Sequence, residues 1–421
     1  MADKVVVLIS GKDPVEGRGG AQHYARVHAR AAVRAGFEPH TFCATARTEV
    51  VETGFGVVHR VRSSPLQLVR RDSQMEFHRS FIPVHAPVVA GSVERFLLRR
   101  NAPCLIHGFS TWGYIGVLAS RWLRRRGVDA PALTGFYTTA DHETRAKMRS
   151  VGAGHGRFHR VRYGIDHAWN RTVVAHYERQ AYVRSRLVTV NYESVRRLLL
   201  ETYGTGAPIR KLPYTSEAAF LRSQGTEPAP LPEAAARLAP RDAPLIVSVS
   251  RHDPRKGVDV LLQALAIVRG RGVPYRACLV SGGPLLAPHR QMTAQLRIDD
   301  VTAITDWVAD PYVYLQHADV FVLPSLEEAS GSLALLEALH AGVAVVASNI
   351  DGIPEDVADG DSALLVPPGD ASALAEAIIR VVTDPVTRQR LARRGRKTFV
   401  ERFSADAFAS ALRETYAEVL A

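Results

Sequence analysis

Short apolar runs alternate along the whole chain with longer stretches of helical period. Apolar runs of a few residues, bounded by glycine, proline or polar residues, are typical of parallel strands covered on both faces. This alternation predicts an α/β protein with parallel sheets. The predicted strands are Val5–Ile9, Leu105–Ile106, Leu187–Val190, Leu245–Val249, Cys278–Val280, Val320–Leu323 and Ala344–Ala347, with a helix Gly19–Ala35 after the first.

The length of 421 residues suffices for two domains, each with its own core. The stretch TEPAPLPEAAARLAPRDAP is rich in proline, alanine and glutamate, which is typical of a linker. We therefore expect a first domain over residues 1–213, a linker over 214–244 that acts as a hinge, and a second domain over 245–403.

Composition restricts the class of protein. Apolar residues make up 46% and charged residues 23% of the chain, as in soluble globular enzymes. The first apolar run is too short for a signal peptide, and no later run approaches the ~18 apolar residues of a spanning helix. A cytoplasmic location is the expectation. Cys43, Cys104 and Cys278 have neither metal-binding spacing nor an even count, which argues against a disulfide framework.

The two halves of the chain differ in charge. Residues 1–213 hold 33 Lys and Arg against 16 Asp and Glu, whereas the remainder holds 20 against 26. A basic half suits nucleic acid, a membrane surface or a phosphorylated small molecule. However, 47 of the 53 basic residues are arginine, a bias that a GC-rich genome also produces. Both explanations stay open.

Two segments of the second half carry candidate phosphate-binding chemistry. Arg251 and Lys256 follow the strand Leu245–Val249, at the edge of the sheet where α/β proteins bind ligands. Arginine can grip a diphosphate with two donors and lysine with a point charge. Gly282 and Gly283 follow the next strand, where small residues let a phosphate approach the backbone amides.

A third segment joins the strand Val320–Leu323 to a helix through a loop of small residues. Ser330, Gly331, Ser332 and Leu333 lie where a helix N-terminus can hold an anion. Glu337, and Glu327 or Glu328, could accept hydrogen bonds from sugar hydroxyls. On an ordinary helix surface they would carry no function.

These segments together resemble the retaining GT-B glycosyltransferases of family 4. The resemblance rests on VSVSRHDPRKGVDVLLQAL, LVSGGP, ADVFVLPSLEEASGSLALLEALHAG and VVASNIDGIPEDVADGDSALLVPPGD, in that order. It implies two Rossmann-like, doubly wound parallel-sheet domains facing a cleft. It also implies that the last helix, 404–421, crosses back onto the first domain. The implied activity is transfer of a hexose from a nucleoside-diphosphate sugar, with UDP favoured, to a small-molecule acceptor.

The resemblance also implies roles for residues. Arg251 and Lys256 would hold the donor diphosphate, Gly282 and Gly283 would lie beside it, and Glu337 would hold the ribose. The loop Glu328–Ser332 would hold the sugar. Gly19 and Gly20 correspond to the glycine-rich loop that closes over the phosphates. No cofactor or metal is expected, because basic side chains neutralise the leaving diphosphate.

The chain departs from the family at three places. Glu328 and Glu337 are separated by eight residues instead of seven, so hexose selectivity is not readable. Phe109 replaces the second of two histidines, which leaves His107 either catalytic or structural. Tyr214–Glu217 replaces the usual Asn-Gly-Val-Asp. The acceptor is likewise not legible, although an arginine-rich composition associates the chain with aminocyclitols and other secondary metabolites, as in antibiotic biosynthesis.

Several alternatives remain at this stage. His155, His159 and His167 have spacing that permits a metal site, although nearby glycines and arginines favour a loop. A GT-B phosphorylase or phosphosugar synthase would share the same motifs. A peripheral membrane glycolipid glycosyltransferase or a nucleic-acid-binding protein would use the basic half, with Ser120–Arg126 as the candidate segment. The oligomeric state is not indicated.

Overall fold

A computed structural model describes residues 4–16, 20–63, 82–100, 102–150, 164–222, 228–328 and 330–421. The chain divides into two compact units. Unit 1 comprises Met1–Glu217 together with Ala405–Ala421, and unit 2 comprises Ala218–Ser404. The expected linker 214–244 is therefore split. Residues 214–217 belong to unit 1, and the rest belongs to unit 2.

Unit 1 is built on an eight-stranded sheet of order β3-β4-β2-β1-β5-β6-β7-β8. The order reverses between β1 and β5, as in doubly wound folds, and β3 alone pairs antiparallel, at the edge. The strands are β1 (Lys4–Ser10), β2 (Phe37–Thr45), β3 (Glu49–Thr53), β4 (Gly56–Arg62), β5 (Cys104–Phe109), β6 (Ala132–Phe136), β7 (Leu187–Val190) and β8 (Ile209–Lys211).

Helices cover this sheet and complete its core. Val5, Val7 and Ile9 of β1 are buried against apolar side chains of α2 and α3. The helices are α1 (Gly20–Arg34), α2 (Ile82–Leu97), α3 (Gly113–Arg124), α4 (Ala140–Ser150), α5 (Ala175–Arg184) and α6 (Glu193–Tyr203). A 3-10 turn, Ser110–Trp112, precedes α3, and a π turn, Asn170–Val174, leads into α5.

Unit 2 is built on a six-stranded sheet of order β11-β10-β9-β12-β13-β14, parallel throughout. Numbered from the first strand of the unit, this is the 3-2-1-4-5-6 order of Rossmann folds, with its switch point between β9 and β12. The strands are β9 (Leu245–Val249), β10 (Arg276–Val280), β11 (Thr302–Ile304), β12 (Val320–Leu323), β13 (Ala344–Ser348) and β14 (Leu364–Val366).

Three helices of unit 2 begin at side-chain caps that the sequence supplies. Ser332, Asp370 and Asp384 each accept a hydrogen bond from a backbone N–H of the helix that follows. The helices are α7 (Ala218–Leu221), α8 (Glu233–Ala236), α9 (Val258–Gly270), α10 (Leu286–Gln295), α11 (Tyr312–Leu315), α12 (Leu333–Ala341), α13 (Ile353–Asp356), α14 (Ala371–Thr383) and α15 (Pro385–Arg402).

The last helix, α16 (Ala405–Leu420), belongs to unit 1. Its buried Phe408, Leu412 and Tyr416 lie at helical spacing and pack toward α1 and β5. Two arginines of unit 1 pair with its acidic residues, Arg34 with Asp406 and Arg210 with Glu414 and Glu418.

The α/β class and the two doubly wound sheets are confirmed. Strands β2, β6, β8, β11 and β14 were not predicted, nor was the β3–β4 hairpin, whose antiparallel pairing is an exception to the parallel sheet. Among the helices that the structure describes, none is long and apolar enough to span a membrane.

Candidate functional site

Three loops meet at the carboxyl edge of the sheet of unit 2. They follow β9, β10 and β12, and two of them flank the switch point where open α/β sheets bind ligands. Backbone hydrogen bonds tie them together. Leu326 N and Glu327 N donate to Arg255 O at 2.7 and 3.1 Å, and His252 N donates to Gly282 O at 2.9 Å.

The loop after β9 turns tightly before α9 begins. Asp253 caps a 3-10 turn, Pro254–Lys256, by accepting a hydrogen bond from Arg255 N at 3.0 Å. Gly257 then adopts φ +59°, and a Cβ there would lie 2.1 Å from Pro324 O. Glycine is required at this position by both conformation and space. The turn fixes Lys256 beside the loop that follows β12.

Lys256 and Glu328 form an ion pair at this edge of the sheet. Lys256 Nζ lies 2.6 Å from Glu328 Oε2, with side chains 20% and 3% exposed respectively. Ser325 Oγ donates to the other carboxylate oxygen, and Glu328 N donates to Asp351 Oδ2 at 2.7 Å. The structure thus brings together two residues that the sequence singled out separately. Glu328 is positioned to orient the ammonium group.

Arg251 and the glycine pair occupy the same edge. The Arg251 side chain is exposed, one residue before the buried His252. A Cβ on Gly282 would lie 2.5 Å from Trp307, and one on Gly283, at φ +154°, would lie 2.4 Å from His252 O. Packing therefore requires glycine at both positions. Because glycine has no side chain, the backbone of the loop is not covered there by side chains of the loop itself.

The segment after β12 leads into the N-terminus of α12. Ser330 is buried and its carbonyl accepts from Gly352 N at 2.7 Å, while Ser332 caps the helix. Gly331 and Leu333 are partly exposed, next to the free amides of the first turn. Glu337 lies one turn further along α12 and is half-buried. Ala329 lies outside the described residues.

Sequence reasoning missed two side chains at this edge. Trp307 is 67% exposed and borders Gly282, so it offers an aromatic face beside the loop. His252 Nδ1 lies 2.8 Å from His289 Nδ1, and burial, together with His289, lowers the pKa of His252 to about 4. The only sequence signal for the first was a tryptophan between Asp306 and Asp310. The His252–His289 contact joins residues 37 positions apart and left no local signal.

His107 lies in the interior of unit 1. Its side chain is fully buried, and Nδ1 lies 2.9 Å from Tyr416 Oη. Burial, followed by the neighbouring His28, holds the pKa of His107 well below its ordinary value. A neutral, enclosed imidazole that contacts the last helix fits the structural role better than the catalytic one. The role of Phe109 is similar, because it packs against His107 and His28.

Other predicted positions are only partly described. Gly20 is the first residue of α1, whereas Gly19 lies outside the described residues. His155 and His159 also lie outside them, and His167 Nδ1 is 3.9 Å from Asp141. Across the described ranges there is no group of three or more His, Cys, Asp or Glu that could hold a metal. The expectation that no metal is required stays a prediction.

Unit 1 has its own polar cluster at the carboxyl ends of β6, β7 and β8, beside the first turn of α1. Four side chains there hold buried polar atoms without a hydrogen-bond partner among the described residues: Gln22 Oε1, Thr138 Oγ1, Asn191 Oδ1 and Nδ2, and Ser216 Oγ. Tyr24 stacks on Tyr137 at 3.8 Å and lies 5.9 Å from Tyr214. These ring contacts join the elements that carry the four polar side chains.

An ion-pair cluster holds the end of this segment to α1. Glu217 accepts from Arg26 Nε with both oxygens, at 3.0 and 2.8 Å, and lies 3.5 Å from Arg30. Glu217 is thus neutralised by two arginines, at the position where the family usually has aspartate. The uncharged polar side chains of this cluster hold the polar atoms that stay available for hydrogen bonds.

Solved structures identify the fold class. The chain superimposes on sucrose-phosphate synthase from Thermosynechococcus elongatus with a TM-score of 0.72, at 22% identity and covering 99% of both chains. Anabaena HepE in complex with UDP gives a TM-score of 0.64 at 17% identity, covering 99% of this chain and 100% of that one. The fold is therefore GT-B.

A family of known proteins matches the second half of the chain. Residues 233–398 match the family described as Glycosyl transferases group 1. This match spans less than half of the chain but covers the motifs on which the resemblance rests, and it confirms the resemblance over that part.

Curated relatives match only in part. Lipopolysaccharide core biosynthesis glycosyltransferase LpsE of Rhizobium meliloti is 33% identical over 41% of this chain and 49% of its own length. The D-inositol 3-phosphate glycosyltransferase of Saccharomonospora viridis is 38% identical over 45% of this chain and 46% of its own. The chain spans about half the length of such relatives.

Proposed function

We propose that the chain is a retaining glycosyltransferase that moves a hexose from a nucleoside-diphosphate sugar, with UDP favoured, to a small-molecule acceptor. The arrangement of Arg251 and the Lys256–Glu328 pair beside the N-terminus of α12 carries this proposal. An exposed guanidinium, a positioned ammonium and free helix amides form a cradle for a diphosphate. The family match and the fold shared with a UDP-bound neighbour support it.

The chemical demand is to stabilise a diphosphate that gains negative charge as the glycosidic bond breaks. Arg251 and Lys256 would meet that charge, and their attraction would strengthen in the transition state. Glu337 would accept hydrogen bonds from the ribose, and the loop Glu328–Ser332 would hold the sugar. The acceptor would attack the same face, and the departing phosphate would take its proton, so no protein nucleophile is required.

The polar cluster of unit 1 suggests the acceptor class. Gln22, Thr138, Asn191 and Ser216 are uncharged groups that both donate and accept hydrogen bonds, as hydroxyl groups require. A relative named for D-inositol 3-phosphate supports a ring of hydroxyls as acceptor. We therefore favour a cyclitol or aminocyclitol. Replacing Asn191 by Ala should raise the acceptor KM by roughly tenfold or more, and leave the donor KM nearly unchanged.

A nucleotide-binding experiment tests the donor assignment. Uridine or guanosine diphosphate, added with a metal chelator, should raise the melting temperature of the parent, and Lys256→Ala should lose most of that shift. Lys397→Ala is the matched control, because Lys397 is exposed on α15 of the same unit. An equal response from the parent and Lys256→Ala would refute the diphosphate assignment. Turnover with inorganic phosphate in place of a nucleotide would instead indicate the phosphorylase alternative.

A further inference from the structure

A groove at the edge of unit 1 has no part in the proposed reaction. It has a volume of about 590 Å³ and lies between α2 and the β3–β4 hairpin. Phe42, His59 and Phe96 line its apolar part, and His59 stacks on Phe42 at 4.3 Å. Five of the other lining residues are arginines, namely Arg60, Arg62, Arg95, Arg99 and Arg100, and no Asp or Glu lines the groove among the residues that the structure describes.

Two of these arginines are already neutralised. Arg60 is buried and lies between 2.6 and 3.1 Å from the carboxylates of Asp13, Glu16 and Glu49. Arg100 lies 3.4 Å from Glu38 and packs over Phe96. These two arginines hold the groove together and add little free charge.

The other three arginines carry uncompensated charge. Arg62, Arg95 and Arg99 are exposed, and none of them forms an ion pair within the part of the chain that the structure describes. The acidic residue of α2 is not available to them, because Glu94 pairs with Arg126 of the neighbouring helical segment at 3.0 Å. The groove therefore presents about three positive charges to solvent.

Exposed valines border the same charges. Val84 and Val88 are 47% and 39% exposed, one turn apart on α2, and Val50 of β3 is 62% exposed across the groove. The outward positions of α2 thus change from valine in its first half to arginine at and beyond its end. A solvent-facing helix normally carries polar residues at such positions. Apolar side chains next to unpaired arginines match the surface of an anionic bilayer.

We infer that this face of unit 1 docks onto an anionic phospholipid membrane. The α2 face, defined as Val50, Val84, Val88, Arg62, Arg95 and Arg99, would insert its valines at the headgroup level, while its arginines bind lipid phosphates. The donor loops are the three loops of unit 2 that follow β9, β10 and β12. The inference is independent of the transferase proposal, because the α2 face and the donor loops belong to different units. Donor binding and membrane binding can therefore fail separately.

Vesicle co-sedimentation of the full chain tests the inference. The parent should bind vesicles of phosphatidylcholine mixed with phosphatidylglycerol, bind pure phosphatidylcholine weakly, and lose binding as ionic strength rises. Each arginine near the surface contributes about a factor of five, so Arg95→Glu with Arg99→Glu should weaken binding by at least roughly 30-fold. Val84→Gln with Val88→Gln should weaken binding while the salt dependence is retained.

The control variant carries the same charge change elsewhere. Arg241 and Arg393 are exposed on unit 2. Replacing both by Glu changes the net charge by the same amount but leaves the α2 face intact. Vesicle binding should then weaken only by the effect of net charge, to within about twofold. Equal loss in this control, equal binding of the two vesicle types, or absence of binding by the parent would overturn the inference. So would displacement by inorganic phosphate at an ionic strength where chloride has no effect, since that result indicates a small-anion site. If the Arg95/Arg99 variant melts abnormally, the valine variant decides.

Discussion

The Lys256–Glu328 pair permits a quantitative test of how the donor loops are held. Lys256→Met removes the ammonium group and keeps most of the apolar stem. Glu328, which is 3% exposed, would then keep Ser325 Oγ as its side-chain donor. Loss of a hydrogen bond to a charged group costs about 1–3 kcal/mol. Because Lys256 is partly exposed, we expect a loss of about 2 kcal/mol.

This loss should be visible in thermal unfolding. Unit 2 spans Ala218–Ser404, and for a domain of that size each kcal/mol shifts the melting temperature by roughly 2–4 °C. We therefore expect Lys256→Met to lower the transition of unit 2 by roughly 4–8 °C. Adding Glu328→Gln removes the uncompensated charge while the amide can still accept from Ser325. The double variant should recover about 1 kcal/mol of the loss.

The same substitution at Lys397 provides the control. Lys397 pairs with Glu401 at 3.7 Å on the surface of α15, where both side chains are more than half exposed. An exposed pair of this kind contributes less than about 0.5 kcal/mol, so Lys397→Met should leave the transition almost unchanged. If Lys256→Met melts like the parent, or if the effects of Lys256→Met and Glu328→Gln simply add, the pair does not stabilise the donor loops.

Three further predictions follow from single positions. Glu337→Gln should weaken binding of the ribonucleotide by about 1–3 kcal/mol, measured by calorimetry, and should abolish the preference for the ribonucleotide over its 2′-deoxy analogue. If the parent itself binds both nucleotides equally, Glu337 does not bind the ribose. Gly283→Ala should destabilise unit 2 by roughly 2 kcal/mol or more, because the added Cβ would collide with His252 O. In contrast, Gly270→Ala should stabilise unit 2 by about 0.5–1 kcal/mol, because nothing lies within 4 Å of the added Cβ. Similar melting temperatures of the two variants would contradict this prediction. Burial lowers the pKa of His28 to about 4, so the free energy of unfolding should fall as the pH drops from about 6.5 toward 4. His28→Gln should make this loss smaller in denaturant titrations at several pH values. An unchanged pH profile in the variant would contradict the prediction.

Local sequence determined the elements and the composition of the donor loops. Strands β9 and β12 have the bounds that the apolar runs predicted, because a buried parallel strand needs a continuous apolar segment whatever its neighbours are. Arg251, Lys256, Glu328 and Glu337 could also be named as candidates from the sequence, and their roles stay predictions. The first three follow strand ends, which are the places where parallel sheets bind anionic ligands, and Glu337 lies within the helix that comes next.

Tertiary structure alone decided which of these side chains meet. Lys256 and Glu328 are 72 residues apart, and their contact depends on β9 and β12 being neighbours in the sheet. His107 was readable as a histidine after an apolar run, but its enclosure depends on Tyr416, which is 309 residues away. The valines of α2 were equally invisible as a surface, because their apolar character fits a core. Exposure is set by what the rest of the chain packs against a side chain, and local periodicity does not record this packing.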